Sequence, residues 1–302
     1  MGGGIAQVLA AAGVDVVIAD TDTDSTRRNH ERLLAEARDF EAGGVADAGF
    51  ADSVARHLTW ATSVEEAVRD VDLVEEAVPE LPALKAEVLR RIEAAARPDA
   101  TIASNTSTIP ISELAVSLSD ASRFLGVHFS NPAPFIPGVE LIAHASTDES
   151  VIPPVEAPVA RTGKLTARVN DKAGFVLNRL QYVLLKEAIN LVEEGVATAE
   201  GVDTIVRTTF GYRLPFFGPF AIADMAGLDV YRACFSTFEQ YYGDRLKAPA
   251  MLTELVDSGR YGVKQGGGFV TEAGDQTALI AYRNTAYARL GQLLRELGPA
   301  PF

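Results

Sequence analysis

Residues 1–22, MGGGIAQVLAAAGVDVVIADTD, change periodicity halfway. Ile5, Val8, Leu9 and Ala12 share one helical face and Gly13 is a helix stop. Val14–Asp20 is then a mostly apolar, β-branched run, which reads as a buried parallel strand. The run ends in Asp20. A glycine cluster, a helix, a strand and an acid roughly twenty residues on form the second half of a dinucleotide-binding fingerprint. Aligned on the helix, Gly2 is the third glycine of G-x-G-x-x-G. The strand and the two glycines of the first half are not in the chain. In the 3-2-1-4-5-6 order strand 1 is central, and its loss leaves strands 2 and 4 with unpaired inner edges. We therefore expect Met1 to be an internal methionine of a natural product roughly ten residues longer, enough for one strand and the start of the glycine turn. An intact mass starting at Met1 in protein from the native host refutes this expectation. The alternative is a genuine short form with poor cofactor binding.

Outward from this stretch, strands alternate with helices. Asp22–Val68 is polar with helical periodicity and reads as a helix, an Ala/Gly/Asp-rich turn (Glu41–Gly49) and a second helix standing outside the sheet. Strands are expected at Asp72–Val78, Ala100–Ser104, Arg123–His128, Val139–Ala143 and Thr166–Val169, with helices at Leu84–Ala96 and Ile111–Leu118. This is a βαβ architecture and an α/β doubly wound sheet. From Phe175 onward the period is helical: Phe175–Glu194, Val202–Phe210, Ala221–Tyr241, Leu252–Ser258 and Asp275–Leu297. Residues 1–168 are thus expected to form a Rossmann-type domain and residues 169–302 an all-α domain.

The 302 residues are 47% hydrophobic and 23% charged, with mean hydropathy +0.09, a soluble globular composition. No apolar run approaches the ~20 residues that cross a bilayer, so no membrane partner is expected. No basic n-region followed by an apolar core and cleavage site is seen, so no secretory signal is expected. The single cysteine, Cys234, excludes an intrachain disulfide and a cysteine-held metal, and fits a reducing cytoplasm. A net charge of −14 excludes general electrostatic attraction to nucleic acid. It also leaves phosphate binding to local groups such as helix N-termini and backbone N–H.

Residues 123–140, RFLGVHFSNPAPFIPGVE, carry the chemistry. His128 stands where a strand ends, and ligands of open α/β sheets bind at strand ends. Pro132, Pro134 and Pro137 make the following segment a loop. Such a loop can fold back and bring Glu140 against His128. A carboxylate on one imidazole nitrogen fixes the tautomer and raises the basicity of the other, giving a general base near neutral pH.

The pieces GGGIA…VVIAD, EEAVPE, ASNTSTI, GVHFSNP…VEL, DKAGFVLNR, GPF…D…GLD and KQGGGF occur in the order found in the L-3-hydroxyacyl-CoA dehydrogenases, which the chain resembles from Gly2 to Phe269. The resemblance implies an N-terminal Rossmann domain and a helical C-terminal domain that forms a homodimer. It implies that His128 takes the 3-hydroxyl proton while hydride leaves C3 for a nicotinamide, with Glu140 as the partner carboxylate. Ser107, Asn178 and Asn131 match the family's active-site hydrogen-bonding residues. Donors of this kind suit an oxygen whose charge changes during hydride transfer. Gly2 and Gly4 look like remnants of the glycine turn. Asp20 matches the acid that accepts from the adenosine ribose hydroxyls, favouring NAD over NADP. Arg27 and Arg28 lie too far into the next helix to favour a 2′-phosphate. Glu80, Lys85 and Asn105 match positions near the cofactor. The blander readings are that Asp20 only caps the next helix, that Ser107 is a turn or cap residue before the Ile111 helix, and that Glu80 and Lys85 are surface residues. His30, His57 and His144 carry no motif.

The chain departs from CoA-specific members twice. Their loop often carries a lysine before the Leu-Val-Glu run, where this chain has PAPFIPGVE. Their helical excursion uses lysines, where Asp22–Val68 has only arginines: Arg27, Arg28, Arg32, Arg38 and Arg56. The loop is also similar to relatives that oxidise free hydroxy acids, of the gulonate and carnitine dehydrogenase type, and these remain an alternative. A non-catalytic NAD-binding or structural protein on the same fold is a second alternative.

Overall fold

The structure is a computed structural model and describes residues 1–301. It divides into two compact units, Met1–Leu185 and Lys186–Phe302. The expected boundary near residue 168 falls inside a strand of the first unit.

The first unit runs α1 (Gly2–Ala11), β1 (Val16–Ile18), α2 (Thr23–Ala42), α3 (Phe50–His57), β2 (Leu58–Trp60), α4 (Val64–Ala67), β3 (Leu73–Glu76), α5 (Pro82–Ala95), β4 (Thr101–Ser104), α6 (Ile111–Ala115), β5 (Phe124–Phe129), β6 (Gly138–Ala143), α7 (Ile152–Arg161), β7 (Leu165–Asn170) and the start of α8 (Leu177–Glu193). β3, β4 and β5 are parallel. β6 returns antiparallel to β5, and β7 lies parallel to β6. The expected strands and helices of the α/β half are present, with their ends moved by at most three residues.

Two features were not expected. Residues 22–68 do not stand wholly outside the sheet, because Leu58–Trp60 forms a parallel strand on β1. Three residues are too few to show a period, and the helical pattern before them masks the change. α7 also forms despite three prolines. Pro153 and Pro154 occupy its first turn, where an N–H has no intrahelical acceptor, and only Pro158 lies inside.

The strands fall into two ladders, β2-β1 and β3-β4-β5-β6-β7. Among the described residues β1 hydrogen-bonds only to β2, and β3 only to β4. Side chains span the seam. Val17 and Ala19 pack on the cluster containing Val74 and Ile102. Ile5 of α1 packs with Ala103, Leu125 and Val139, while Ala6 and Ala10 of the same helix pack with Leu33 and Leu58.

Glu75 of β3 borders this seam. Its Oε1 is shut off from solvent and has no hydrogen-bond partner. Burial, and secondarily the neighbouring Glu76 carboxylate, push its carboxyl well above the ordinary carboxylate range. The folded state then holds a proton that the unfolded state has released above about pH 4.3. The stability contribution is complete below that pH and is lost as pH rises through the folded value. We predict that Glu75→Leu stabilises the protein at pH 7 by about 1–3 kcal/mol, the usual cost of an unsatisfied buried polar group. The gain should shrink as pH falls toward about 4. Urea unfolding at several pH values checks this, and an equal gain at pH 4 and pH 7 would contradict it.

The second unit continues α8 and adds α9 (Ala199–Thr208), α10 (Pro219–Ala226), α11 (Leu228–Tyr242), α12 (Ala250–Asp257) and α13 (Thr277–Leu297). The single helix expected over Ala221–Tyr241 is two helices, broken at Gly227, whose φ of +106° favours glycine. The KQGGGF segment folds around Asp224. Its fully buried carboxylate accepts from the N–H groups of Phe269, Val270 and Thr271 at 2.9–3.0 Å. No side chain fits at Gly268, where a Cβ would lie 2.0 Å from Asp224 Oδ1. No helix among the described residues is long and apolar enough to cross a membrane, and no group of three or more His, Cys, Asp or Glu side chains there could hold a metal.

Candidate active site

The hairpin β5–β6 sets His128 directly opposite Glu140. Opposed residues of an antiparallel pair point to one face, so the register itself delivers the two side chains to each other. His128 Nδ1 lies 2.7 Å from Glu140 Oε2. A carboxylate can only accept, so Nδ1 carries the proton and Nε2 the lone pair. His128 is 4% exposed. Its Nε2 has no protein partner among the described residues and is not shut off from solvent, which leaves that nitrogen to meet a substrate. The other oxygen of Glu140 accepts from Val176 N at 2.9 Å and Leu177 N at 3.1 Å. Burial alone would raise the Glu140 carboxyl. The bonds from His128, Leu177 and Val176 outweigh it and hold the group below its ordinary value. Glu140 is thus an anion aimed at the imidazole.

The end of β4 supplies the opposite wall. Asn105 is buried, and its Oδ1 accepts from Phe129 N at 2.8 Å, tying β4 to the residue after His128. Asn178 Nδ2 donates to Ser107 O at 2.7 Å. Ser107 does not cap α6, because Asp171 accepts from Ile111 N and Ser112 N at 2.7 and 2.8 Å. Asn131 is exposed beyond β5, and its side chain makes no hydrogen bond among the described residues.

Glu80 has a role that sequence reasoning did not assign. Its Oε1 accepts from Thr106 Oγ1, Ser107 N and Thr108 N, each at 2.8 Å, so one carboxylate shapes the loop that carries Ser107. Burial opposes the charge, but the Thr108, Thr106 and Ser107 bonds together with Lys85 keep the Glu80 carboxyl below its ordinary value. The nearest sequence signal is the acid-then-SNTST pairing, which only a three-dimensional fold brings together. Lys85 is buried at 1% exposure. Its ammonium donates to Glu76 Oε1 at 3.0 Å and Val78 O at 3.1 Å, and lies 3.5 Å from Glu80 Oε2.

The first turn of α1 forms a second group. A Cβ on Gly2 would lie 3.3 Å from the Ala77 Cβ after β3, and one on Gly4 would lie 3.1 Å from Pro134 Cδ. The bare backbone is what lets this helix end sit so close to strand and loop. Its first-turn N–H groups and helix dipole favour an anion. Asp20 is exposed at the end of β1, where its carboxylate accepts from Thr21 N and Asn29 Nδ2 at 2.7 Å. The cap of α2 is Asp22, not Asp20, bonded to Ser25 N at 2.8 Å. His30, His57 and His144 bond to Leu58 O, Asp15 and Ala121 O.

Comparison with known proteins shows the family. The NAD-binding domain of 3-hydroxyacyl-CoA dehydrogenase matches residues 1–172, and the C-terminal domain of that family matches residues 174–272. A 5-formyl-3-hydroxy-2-methylpyridine 4-carboxylate 5-dehydrogenase of Mesorhizobium japonicum is 35% identical over 281 residues, spanning 93% of this chain and 90% of that one. A 3-hydroxybutyryl-CoA dehydrogenase of Mycobacterium tuberculosis is 34% identical over 274 residues, 90% of this chain and 94% of that one. The crystal structure of a 3-hydroxyacyl-CoA dehydrogenase from Archaeoglobus fulgidus superposes with a TM-score of 0.78 at 32% identity, covering 99% and 95% of the two chains. With both of its domains matched in order along one chain, this protein belongs to the 3-hydroxyacyl-CoA dehydrogenase family and is an NAD-dependent dehydrogenase.

Proposed function

We propose that the protein interconverts an L-3-hydroxyacyl-CoA and the corresponding 3-oxoacyl-CoA, with His128 and Glu140 as its general base pair. The 2.7 Å contact between them, with Nε2 left open, carries this reading. NAD supplies the hydride acceptor when bound. The side-chain-free first turn of α1 suits its pyrophosphate, and the exposed Asp20 carboxylate suits its ribose hydroxyls. Nε2 of His128 takes the 3-hydroxyl proton. The imidazolium so formed is stabilised by anionic Glu140, which the N–H groups of Val176 and Leu177 hold in place. The Ser107 hydroxyl and the Asn131 amide are the donors we assign to the substrate oxygen, and Asn178 holds the Ser107 loop.

A second reading, a dehydrogenase of a free hydroxy acid, rests on the charge around α2. No lysine precedes Lys85. Arg27 pairs with Glu31 four residues on, and Arg32 with Glu36, so these cations are neutralised within their own helix. The Mesorhizobium relative is named for a substrate without CoA. Steady-state NADH assays with acetoacetyl-CoA, beside gulonate and carnitine, separate the readings. We expect turnover with acetoacetyl-CoA. Turnover only with a free acid transfers the assignment to the second reading, and none with any 3-hydroxy or 3-oxo substrate favours a non-catalytic protein. We place the protein in the cytoplasm as a homodimer. Exposed Leu180, Val183 and Leu185 on α8 support an assembly face, and light scattering at about twice the 32.2 kDa chain mass checks it.

A further inference from the structure

Between β7 and α8 the backbone makes a turn that few sequences tolerate. Gly174 has φ +74° and Phe175 has φ +48°. For glycine this conformation is ordinary, but a bulky aromatic residue there is an outlier. Strained residues persist where the surroundings over-determine them. The surroundings of Phe175 are specific. The residue is 2% exposed and packs in the cluster of Ile102, Ile109, Ile111 and Phe124. Its ring centroid lies 5.8 Å from that of His128, with the planes inclined at 56°. The two peptide N–H groups that follow it, on Val176 and Leu177, are the ones that bind Glu140 Oε1. Consecutive N–H groups turned inward by a left-handed residue form an anion-binding concavity. Here the anion is a side chain of the protein itself.

We infer that Phe175 is a positioning residue for the His128–Glu140 pair, an inference that rests on the base-pair reading proposed above. Its left-handed backbone turns two N–H groups onto one oxygen of Glu140, leaving the other oxygen for Nδ1 of His128. Its ring packs against the imidazole at an inclined angle. Glycine would satisfy the φ without strain, so the ring is what a strain-free replacement lacks. The same turn places Asn178, whose amide reaches Ser107 O at 2.7 Å. One strained residue thereby sets both the acid partner and the opposite wall.

The test compares Phe175→Gly, which keeps the turn and removes the ring, with Phe175→Leu, which keeps apolar bulk without a flat face. His128→Gln serves as the control. Activity is read as kcat and KM for acetoacetyl-CoA reduction by NADH. The pair is read directly, without substrate, as the downfield proton resonance of His128 Nδ1. We expect kcat of Phe175→Gly to fall about 10- to 100-fold with KM for NADH nearly unchanged, the scale of a sub-ångström misplacement. Its downfield resonance should broaden through exchange with water, and Phe175→Leu should fall between it and the parent. A parental kcat and a sharp parental resonance in folded Phe175→Gly or Phe175→Leu, with His128→Gln inactive, overturns the inference alone. If one variant does not fold, the other still decides. An active His128→Gln removes the base pair itself and the inference with it.

Discussion

Replacing His128 by glutamine should leave a folded protein that binds NAD as before and turns over about 10²–10⁴-fold more slowly, the usual contribution of a positioned general base. Glutamine can still donate to Glu140, so the carboxylate keeps a partner and the hairpin keeps its register. What disappears is the basic lone pair on Nε2, the nitrogen of the ring without a protein partner. The groups assigned to the cofactor, the first turn of α1 and Asp20, do not hydrogen-bond to His128, so affinity for NAD should hold. Steady-state kcat and a fluorescence titration with NADH measure the two quantities. An active variant would strip His128 of its role. Weakened NADH binding with unchanged kcat would make it a cofactor residue instead.

The second large effect is expected at Lys85→Met. The ammonium is 1% exposed and faces the fully buried carboxylate of Glu76 at 3.0 Å. Methionine fills the same volume but leaves Glu76 an anion inside the protein, with only Val78 N and the Ser104 hydroxyl, each at 2.6 Å, to compensate. Breaking a buried ion pair from one side costs about 3–5 kcal/mol. Replacing both members with apolar residues of similar volume is far cheaper, so Lys85→Met with Glu76→Leu should recover much of the loss. Urea unfolding of the single and double variants is the measurement. If Lys85→Met unfolds within about 1 kcal/mol of the parent, the pair has no such weight. The Lys85 ammonium is directed at protein acceptors, Glu76 Oε1 and Val78 O, with Glu80 Oε2 3.5 Å away.

Much of this was legible in the chain because it depended on local signals. The three prolines between His128 and Glu140 marked a loop that can fold back, and the hairpin places the two residues opposite each other. The sequence left open whether the acid at the end of the first strand was only a cap, and the structure gives that cap to Asp22, bonded to Ser25 N. Other features had no local signal. β2 is too short to show a period. The left-handed turn at Phe175 bears a residue type that propensity assigns elsewhere, and its burial beside His128 and Ile102 is visible only in the fold. The Glu80 clamp joins residues 26 to 28 positions apart, a pairing invisible until β3 and β4 lie side by side.

The packing of α1 has a thermodynamic corollary. The helix contributes to two clusters of the core: Ile5 to one, Ala6 and Ala10 to another. That helix also presents the turn assigned to the pyrophosphate. In the proposed reading, a dinucleotide held at that turn stabilises the folded unit. At a hundred times its Kd such a ligand adds roughly 2.7 kcal/mol against unfolding. Cofactor saturation and domain integrity are, in this molecule, two readings of one equilibrium.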